Sequence, residues 1–375
     1  MTRPNKITVV IPYKTFPAKM GGHKFNALFY QYLSGLIPVT IISTRNNEVP
    51  ADLNARFIPL LANSRLRYIN PFLFFSIKRE LGKNNSSHLV FIHPYYGWLA
   101  ALFKWFTNIQ LVIHSHNIEA LRFKSMNKWW WKIMWQYEKF THSLADYNFF
   151  ITEDDRQYAI ENYKLDPGKC HLLTYGIEMD RLPSQEVKNV ARQQLQKIHS
   201  ISPAEKILIF NGTLNYKPNL DAVDVILEEI NPLLIKSGYP YKIIICGKDL
   251  PPRYNMLESH SVQNIIYAGF VEDINIYFAG ADIFINPVTG GGGIKTKLVE
   301  ALGYNLNAVS TKSGAAGIGK ELSGNKLRII PDGDWKSFST EILQFNDKEN
   351  TPPAFFNHFY WANIAQHAVN SLTLD

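Results

Sequence analysis

Short apolar runs alternate along the chain with longer amphipathic stretches. Ile7–Ile11, Val39–Ile42, Leu89–Ile92, Leu111–His114 and Tyr147–Thr152 read as strands. Between them, Lys24–Leu36 and Lys128–Leu144 carry apolar residues at helical spacing. Strands apolar on both faces and separated by helices belong to parallel sheets covered on both sides. A polar segment, Pro183–Pro203, interrupts the rhythm, which then restarts with strands at Ile207–Asn211, Lys242–Cys246, Ile265–Tyr267, Ile283–Asn286 and Asn307–Ser310. Helices are expected at Asn219–Leu234, Ile274–Ala279, Ile294–Gly303 and, after Pro352-Pro353, at Phe355–Leu372. The economical reading is two doubly wound α/β domains, 1–185 and 186–352, followed by a helical segment, 353–375. Ligands in such sheets bind at the carboxyl ends of the strands, where the strand order reverses, so a cleft between the two domains is the expected site.

The composition fits two cores: 46% of the 375 residues are hydrophobic and 19% charged. Cys170 and Cys246 each sit beside a strand-like run and read as two buried free thiols in a reducing compartment. Histidines number eleven, but none falls into zinc-ligand spacing with cysteine or aspartate. The apolar run at Ile7 is broken by Pro12, so it reads as a strand rather than a signal peptide, and no run reaches the ~20 residues of a membrane span. A cytoplasmic protein, soluble or peripheral on the inner face of a membrane, is expected. The net charge of +7 is uneven: 22 Lys/Arg stand against 13 Asp/Glu in 1–185, and 17 against 19 in 186–375. A basic first half suits an anionic surface or acceptor. No nucleic-acid motif accompanies it.

Four segments carry chemistry. The first is Asn286-Pro-Val-Thr-Gly290-Gly291-Gly292-Gly293-Ile-Lys-Thr-Lys297-Leu-Val-Glu300-Ala-Leu302. Four glycines between a strand and a helix let backbone amides approach an anion, and the helix N-terminus adds about half a positive charge. Lys297 and Glu300, three apart on one helix side, suit a phosphate and ribose hydroxyls. The second is Asn211-Gly212-Thr213-Leu-Asn-Tyr216-Lys217-Pro218-Asn219, offering a hydroxyl at Thr213 and a cation at Lys217. The third is Gly21-Gly22, read as flexible backbone ahead of a helix. The fourth is His114-Ser-His116-Asn117-Ile-Glu119, directly after a strand, where catalytic side chains collect. The run Lys128-Trp129-Trp130-Trp131-Lys132 suits either a membrane interface or packing. A nicotinamide-dependent dehydrogenase is disfavoured, because Pro12-Tyr13-Lys14 stands where a glycine fingerprint would follow the first strand.

The order and spacing of these segments resemble the retaining glycosyltransferases of the GT-B fold, most closely glycosyltransferase family four (glycosyl transferases group 1), over nearly the whole chain. Gly21-Gly22 resembles that family's first-domain glycine loop, and His116-Asn117-Ile118-Glu119 its His-Asn-x-Glu run. Gly212, Tyr216, Pro218 and Asn219 match a Gly-x-x-x-Tyr-x-Pro-Asn run of one branch, and Gly293-Ile294, Lys297 and Glu300-Ala301 its Gly-Ile-x-x-Lys-x-x-Glu-Ala element. Gly269–Asp273 and Ala281-Asp282 resemble the segment around the base-binding loop, and Phe359-Tyr360-Trp361 the start of a C-terminal helix returning toward the first domain.

The resemblance implies two Rossmann-like domains and a nucleotide diphosphate sugar as donor, with no metal and no further cofactor. Glu300 would bind ribose; Lys297, with Lys217 or Thr213, the diphosphate; and Gly290–Gly293 the diphosphate and sugar hydroxyls. His116 would stand at the reacting sugar, with Gly21, Gly22, Asn117 and Glu119 on the acceptor side. A hexosyl group would pass with retention to a growing glycan or a lipid-linked saccharide. Two departures from the family pattern stand out: Gly292 lies eight positions before Glu300, where many members carry another glutamate, and Thr213 stands where an arginine is common. A sugar-nucleotide epimerase and a non-catalytic nucleotide-sugar-binding subunit therefore remain as alternatives.

Overall fold

A computed structural model describes residues 6–18, 21–346 and 348–372. The chain divides into two compact units: residues up to Gly176 together with those from Phe359 onward, and Ile177–His358. Among the described residues the first unit holds β1 (Ile7–Val10), β2 (Val39–Thr44), β3 (Arg56–Leu61), β4 (His88–Ile92), β5 (Gln110–Ser115), β6 (Tyr147–Phe150) and β7 (Cys170–Leu172). They form one sheet in the order β3-β2-β1-β4-β5-β6-β7, every neighbouring pair parallel. The second unit repeats the scheme with β8 (Lys206–Asn211), β9 (Tyr241–Cys246), β10 (Ile265–Gly269), β11 (Ile283–Asn286), β12 (Asn307–Thr311) and β13 (Leu327–Ile330), ordered β10-β9-β8-β11-β12-β13. Its pairs are also parallel. Both units are therefore doubly wound α/β domains. Strand order reverses between β1 and β4 in one, and between β8 and β11 in the other.

Central strands are buried on both faces, which is why they read as unbroken apolar runs. β7 and β13 left no such run, and the apolar run of β3, from Phe57 to Leu61, is broken by a proline. Each is an edge or outermost strand with only partial cover, and β3 even carries Pro59, tolerated where one ladder side is free. Helix boundaries also shift. Gly21 and Gly22 are the first residues of helix Gly21–Ser34, not a loop before it. The helix expected at Lys128–Leu144 begins at Trp131, behind a separate short helix, Glu119–Ser125. The C-terminal stretch is two helices, Pro353–Phe359 and Trp361–Ser371, with Tyr360 extended between them. The helical run Lys217–Lys236 widens into a π-turn at Ile226–Ile230, immediately before Pro232, whose missing N–H and ring bulk disfavour regular α pairing.

The polar segment Pro183–Pro203 is not outside the domains. Its helix, Gln185–His199, belongs to the second unit and buries Ala191 and Leu195. Arg192 anchors it by donating to Asp282 and to Glu205 O, while Asp282 also accepts from Ile207 N at 2.7 Å. Both cysteines are buried and free.

On one face of the first sheet, Leu73, Ile77, Leu99 and Phe103 pack against Val10, Phe91, Leu111 and Ile113. On helix Gly21–Ser34, Phe25 and Phe29 meet Trp361, their ring centroids lying 5.3 and 6.3 Å from its own; Tyr175 lies at 5.5 Å. Trp361 is wholly buried. Truncating so large a side chain leaves a cavity that the parallel sheet cannot collapse into. Trp361→Ala is expected to lower the unfolding free energy of the first unit by about 3–5 kcal/mol in chemical denaturation. A loss under about 1 kcal/mol would show that the last helix is not structurally coupled to that core.

Candidate functional site

In the second unit the reversal of strand order separates the loops that follow β8 and β11, and the fold brings the Gly212–Asn219 and Gly290–Gly293 segments together there. β8 ends in Asn211-Gly212-Thr213, and β11 ends in Asn286, leading to Gly290–Gly293. A Cβ on Gly291 would lie 2.9 Å from Tyr216 Oη and 3.4 Å from Pro218, and the residue sits at φ 81°. Glycine is thus required there by both space and backbone. The base of the loop is pinned by Asn286, which donates to Ser310 Oγ at 2.9 Å and to Gly314 O at 3.0 Å.

Lys295, which sequence reasoning passed over, holds the loop's shape. Its half-buried ammonium donates to Gly291 O at 2.8 Å and Gly293 O at 3.1 Å, and burial lowers its pKa. A trans peptide points its N–H opposite its C=O, so these bonds turn the Gly292 and Ile294 amides away from the lysine. Among the described residues, no hydrogen bond is made by the amides of Gly290, Gly291, Gly292 or Gly293. Helix Thr296–Gly303 follows, two residues shorter at its start than its periodicity suggested, because the Lys295 bonds hold residues 293–295 in the loop.

The charged groups of this site are paired with each other. Lys297 Nζ lies 2.8 Å from Glu300 Oε2, with the carboxylate buried and the lysine partly exposed. Lys217 opens helix Lys217–Val225, is 83% exposed, and meets Asp221 at 2.8 Å. Thr213 is half-buried; its carbonyl accepts from Asn219 Nδ2 at 3.0 Å, fixing the Gly212–Asn219 turn. Gly212 and Gly247 approach so closely that a Cβ on Gly247 would stand 2.0 Å from Gly212 O.

In the first unit, β1 and β4 flank the corresponding crevice. His116 follows β5, is buried, and packs between Phe25 and His93, with ring centroids at 4.6 and 4.7 Å. Its Nδ1 would lie 4.0 Å from a Cβ on Gly22, so the imidazole faces the start of helix Gly21–Ser34. Its buried Nε2 has no hydrogen-bond partner among the described residues. Burial, with His93 and His114 beside it, pushes its pKa well below the usual value and keeps the ring neutral. Asn117 is half-buried, between His116 and helix Glu119–Ser125.

Glu119 is the centre of a buried network. Tyr95 Oη donates to its Oε2 at 2.7 Å, Arg122 donates to the same atom at 2.9 and 2.6 Å, and His93 Nδ1 lies 3.4 Å from Oε1. His93 follows β4 at φ 62°, a strained conformation of the kind found at functional sites. Asn26 donates to Tyr13 Oη at 2.9 Å, and Tyr13 Oη lies 3.1 Å from His93 Nε2. Glu138, wholly buried, accepts from the amides of Glu119 at 2.9 Å and Ala120 at 2.8 Å. It holds the helix carrying Glu119 in place. Burial raises the Glu138 pKa to about 8. Tyr13, His93 and Glu138 were missed by motif reading; the position of Tyr13 and His93 after the two strands that flank the reversal is the signal that points to them.

Residues 23–181 match the model of glycosyltransferase family 4, and residues 205–347 that of glycosyl transferases group 1. The chain belongs to the group 1 glycosyltransferases of family four. A 44.6 kDa protein in the cps region of Klebsiella pneumoniae is 24% identical over 324 residues, covering 80% of this chain and 75% of that one. A glycosyltransferase from Rickettsia africae superposes at TM-score 0.71 with 15% identity over the whole of both chains. HepE of Anabaena, solved in complex with UDP-glucose, gives TM-score 0.68 and 15% identity over 98% of this chain and 99% of that one. WaaG, a glycosyltransferase involved in lipopolysaccharide biosynthesis, gives 0.65 and 15% over 98% and 96%. At these identities the structural likenesses establish the GT-B fold. No helix among the described residues is long and apolar enough to cross a membrane.

The Glu119 network of this glycosyltransferase has a measurable signature. Burial alone would raise the Glu119 pKa, but His93 and Arg122 outweigh it and hold the carboxyl at about 2. A depressed folded-state pKa contributes stability above the unfolded value, near 4.5, and that contribution disappears as pH falls toward 2. Glu119→Gln should therefore cost about 2–3 kcal/mol at pH 7, with the difference from wild type shrinking between pH 4.5 and 2.5 in denaturant titrations. A gap that does not change with pH would mean that the charge of Glu119 contributes nothing.

Proposed function

We propose that this glycosyltransferase moves a hexosyl group from a nucleotide diphosphate sugar, with retention and without a metal, to a growing glycan or lipid-linked saccharide. The observation that carries the reading is the Gly290–Gly293 turn at the β8/β11 reversal, its amides unclaimed and a helix N-terminus behind it. That arrangement favours a diphosphate on both geometric and electrostatic grounds. The complex of HepE with UDP-glucose supports such a donor, while WaaG and the Klebsiella cps-region protein support a glycan product.

In this reading Glu300 accepts from the ribose hydroxyls, and Lys297 exchanges Glu300 for the diphosphate. Thr213 adds a hydroxyl, and Lys217 can leave Asp221 at little cost, since an exposed i,i+4 pair is worth about 0.3–0.5 kcal/mol. As the bond from the anomeric carbon to the diphosphate oxygen breaks, its electron pair goes to the diphosphate. The acceptor hydroxyl bonds to the same face and passes its proton to the departing oxygen. Lys297 and the helix dipole meet the growing charge. His116, neutral, offers Nε2 to a donor hydroxyl, with Gly21, Gly22, Asn117 and Glu119 on the acceptor side. The basic first unit fits peripheral attachment at a cytoplasmic membrane face.

Calorimetry with a panel of nucleoside diphosphates tests the donor half. Glu300→Ala should weaken the best of them by about 1.5–3 kcal/mol, the scale of a lost charge-assisted hydrogen bond; unchanged affinity removes Glu300 from the ribose site. His116→Ala should keep both diphosphate affinity and melting temperature while turnover falls ~10²-fold. A stable, fully active variant would sink that role, and a joint fall in melting temperature and every activity would return His116 to the core.

A further inference from the structure

Four residues spaced three apart, Leu66, Ile69, Phe72 and Phe75, are each 66–71% exposed, while Leu73, Ile77 and Leu81 on the same stretch point into the core. The stripe runs from the turn Arg65–Tyr68 into helix Leu73–Asn84. Trp105 and Phe106, 66% and 64% exposed, end the neighbouring helix, and the Phe106 ring lies 6.4 Å from Phe74. An apolar ridge of this size on a folded surface marks an interaction site.

Charge identifies the occupant. Residues 54–145 hold twelve Lys and Arg but only three acids, Glu80, Glu119 and Glu138, which are 5%, 1% and 0% exposed. This stretch therefore presents exposed cations, among them Arg65, Lys78, Arg79, Lys124, Lys128 and Lys132, and no exposed carboxylate, while Lys104 is paired with Asp146 at 2.6 Å. A second copy of the same face would bring like charges together, whereas an anionic lipid surface satisfies both the ridge and the cations. The tryptophan run contributes less than its sequence suggests. Trp129 and Ile133 protrude, but Trp130 packs on Phe123 at 4.5 Å and Trp135 donates to Tyr158 Oη at 3.0 Å.

The ridge is tied to the candidate site. Arg67 Nε donates to Pro12 O at 2.6 Å, Trp98 Nε1 donates to Tyr68 O at 2.8 Å, and the Tyr68 ring lies 5.9 Å from Tyr95. These bonds fasten the turn bearing Leu66 to the carboxyl ends of β1 and β4, beside Tyr13 and His93. We infer that the Leu66–Ile69–Phe72–Phe75 ridge seats this unit in an anionic lipid surface and brings a lipid-linked acceptor to the Tyr13–His93 end of the first sheet. The inference rests on the transferase reading for its acceptor, but not for its lipid binding.

Co-sedimentation of the full chain with vesicles of phosphatidylglycerol in phosphatidylcholine, against phosphatidylcholine alone, tests it. Binding should require the anionic lipid, weaken several-fold as salt is raised, and fall by about tenfold or more in the triple variant Leu66→Ser, Ile69→Ser, Phe72→Ser. Trp129→Ser with Ile133→Ser should weaken it less. Melting temperature and nucleoside diphosphate affinity of the triple variant should match wild type, since all three side chains are exposed. Equal vesicle binding by wild type and the triple variant would overturn the inference, as would a wild-type dimer in light scattering that the triple variant turns to monomer. Lipid binding through the ridge without diphosphate affinity would defeat the transferase reading while leaving the ridge's seat in place.

Discussion

The parallel register of the two sheets is the constraint on which the rest of this structure depends. In a doubly wound sheet right-handed crossovers must leave in opposite directions from two neighbouring strands, so the loops after those strands diverge and cannot fill the space between them. In the second unit that space opens beyond β8 and β11, and its floor is backbone: Gly212 lies so close to Gly247 that no side chain fits between them. In the first unit it opens beyond β1 and β4, where Tyr13 and His93 meet. One topology thus yields two different surfaces, one bare peptide suited to an anion and the other lined by rings and buried polar groups.

Burial decides what the polar groups of the first unit can do. A neutral imidazole can give or take a hydrogen bond near pH 7 without titrating, and burial keeps both His114, at about 3, and His116 in that state. A carboxylate in the same surroundings survives as an anion only through partners. Glu119 has Arg122, Tyr95 and His93 around it, whereas Glu138, with two backbone amides, is raised to about 8. The contrast between these two acids, joined through the short helix Glu119–Ser125, follows from charge in the surroundings rather than depth, since both are almost wholly buried.

The central strands were legible in the sequence because burial on both faces makes them uniformly apolar; β7 and β13 were not, because at a sheet's margin the same backbone takes mixed side chains, and neither was β3, whose apolar run is broken by Pro59. The glycine loop was legible because a positive φ at Gly291 and Gly293 demands that residue type. The network of the first unit was mostly hidden. Tyr13, His93 and Glu138 come from three separate segments, and no spacing along the chain encodes a contact made only when β1 and β4 lie side by side. Gly21-Gly22 misled because glycine suggests a loop, yet here the pair starts a helix, with His116 Nδ1 about where a side chain on Gly22 would reach. The exposed ridge was hidden for another reason. Leu66, Ile69, Phe72 and Phe75 have the spacing of an ordinary buried stripe, and only the position of Leu73 and Ile77 shows which side of the helix faces the sheet.

The charged groups flagged for ligands already have partners, and this shapes what binding must do. Lys297 holds Glu300, Lys217 holds Asp221, and Arg122 holds Glu119. A site assembled from free charges would suffer mutual repulsion and desolvation before any ligand arrived; pairing removes that cost and turns recognition into an exchange. The exchange is uneven. An exposed pair such as Lys217–Asp221 yields its lysine readily, whereas parting Lys297 from the buried Glu300 would strand a carboxylate unless a hydroxyl donor replaces the ammonium. A diphosphate alone meets only half of that demand, while a ligand joining a diphosphate to a vicinal diol meets both halves at once. Selectivity for a whole nucleotide over inorganic diphosphate would then reside in the pairing of Lys297 with Glu300, with the glycine loop supplying affinity common to both.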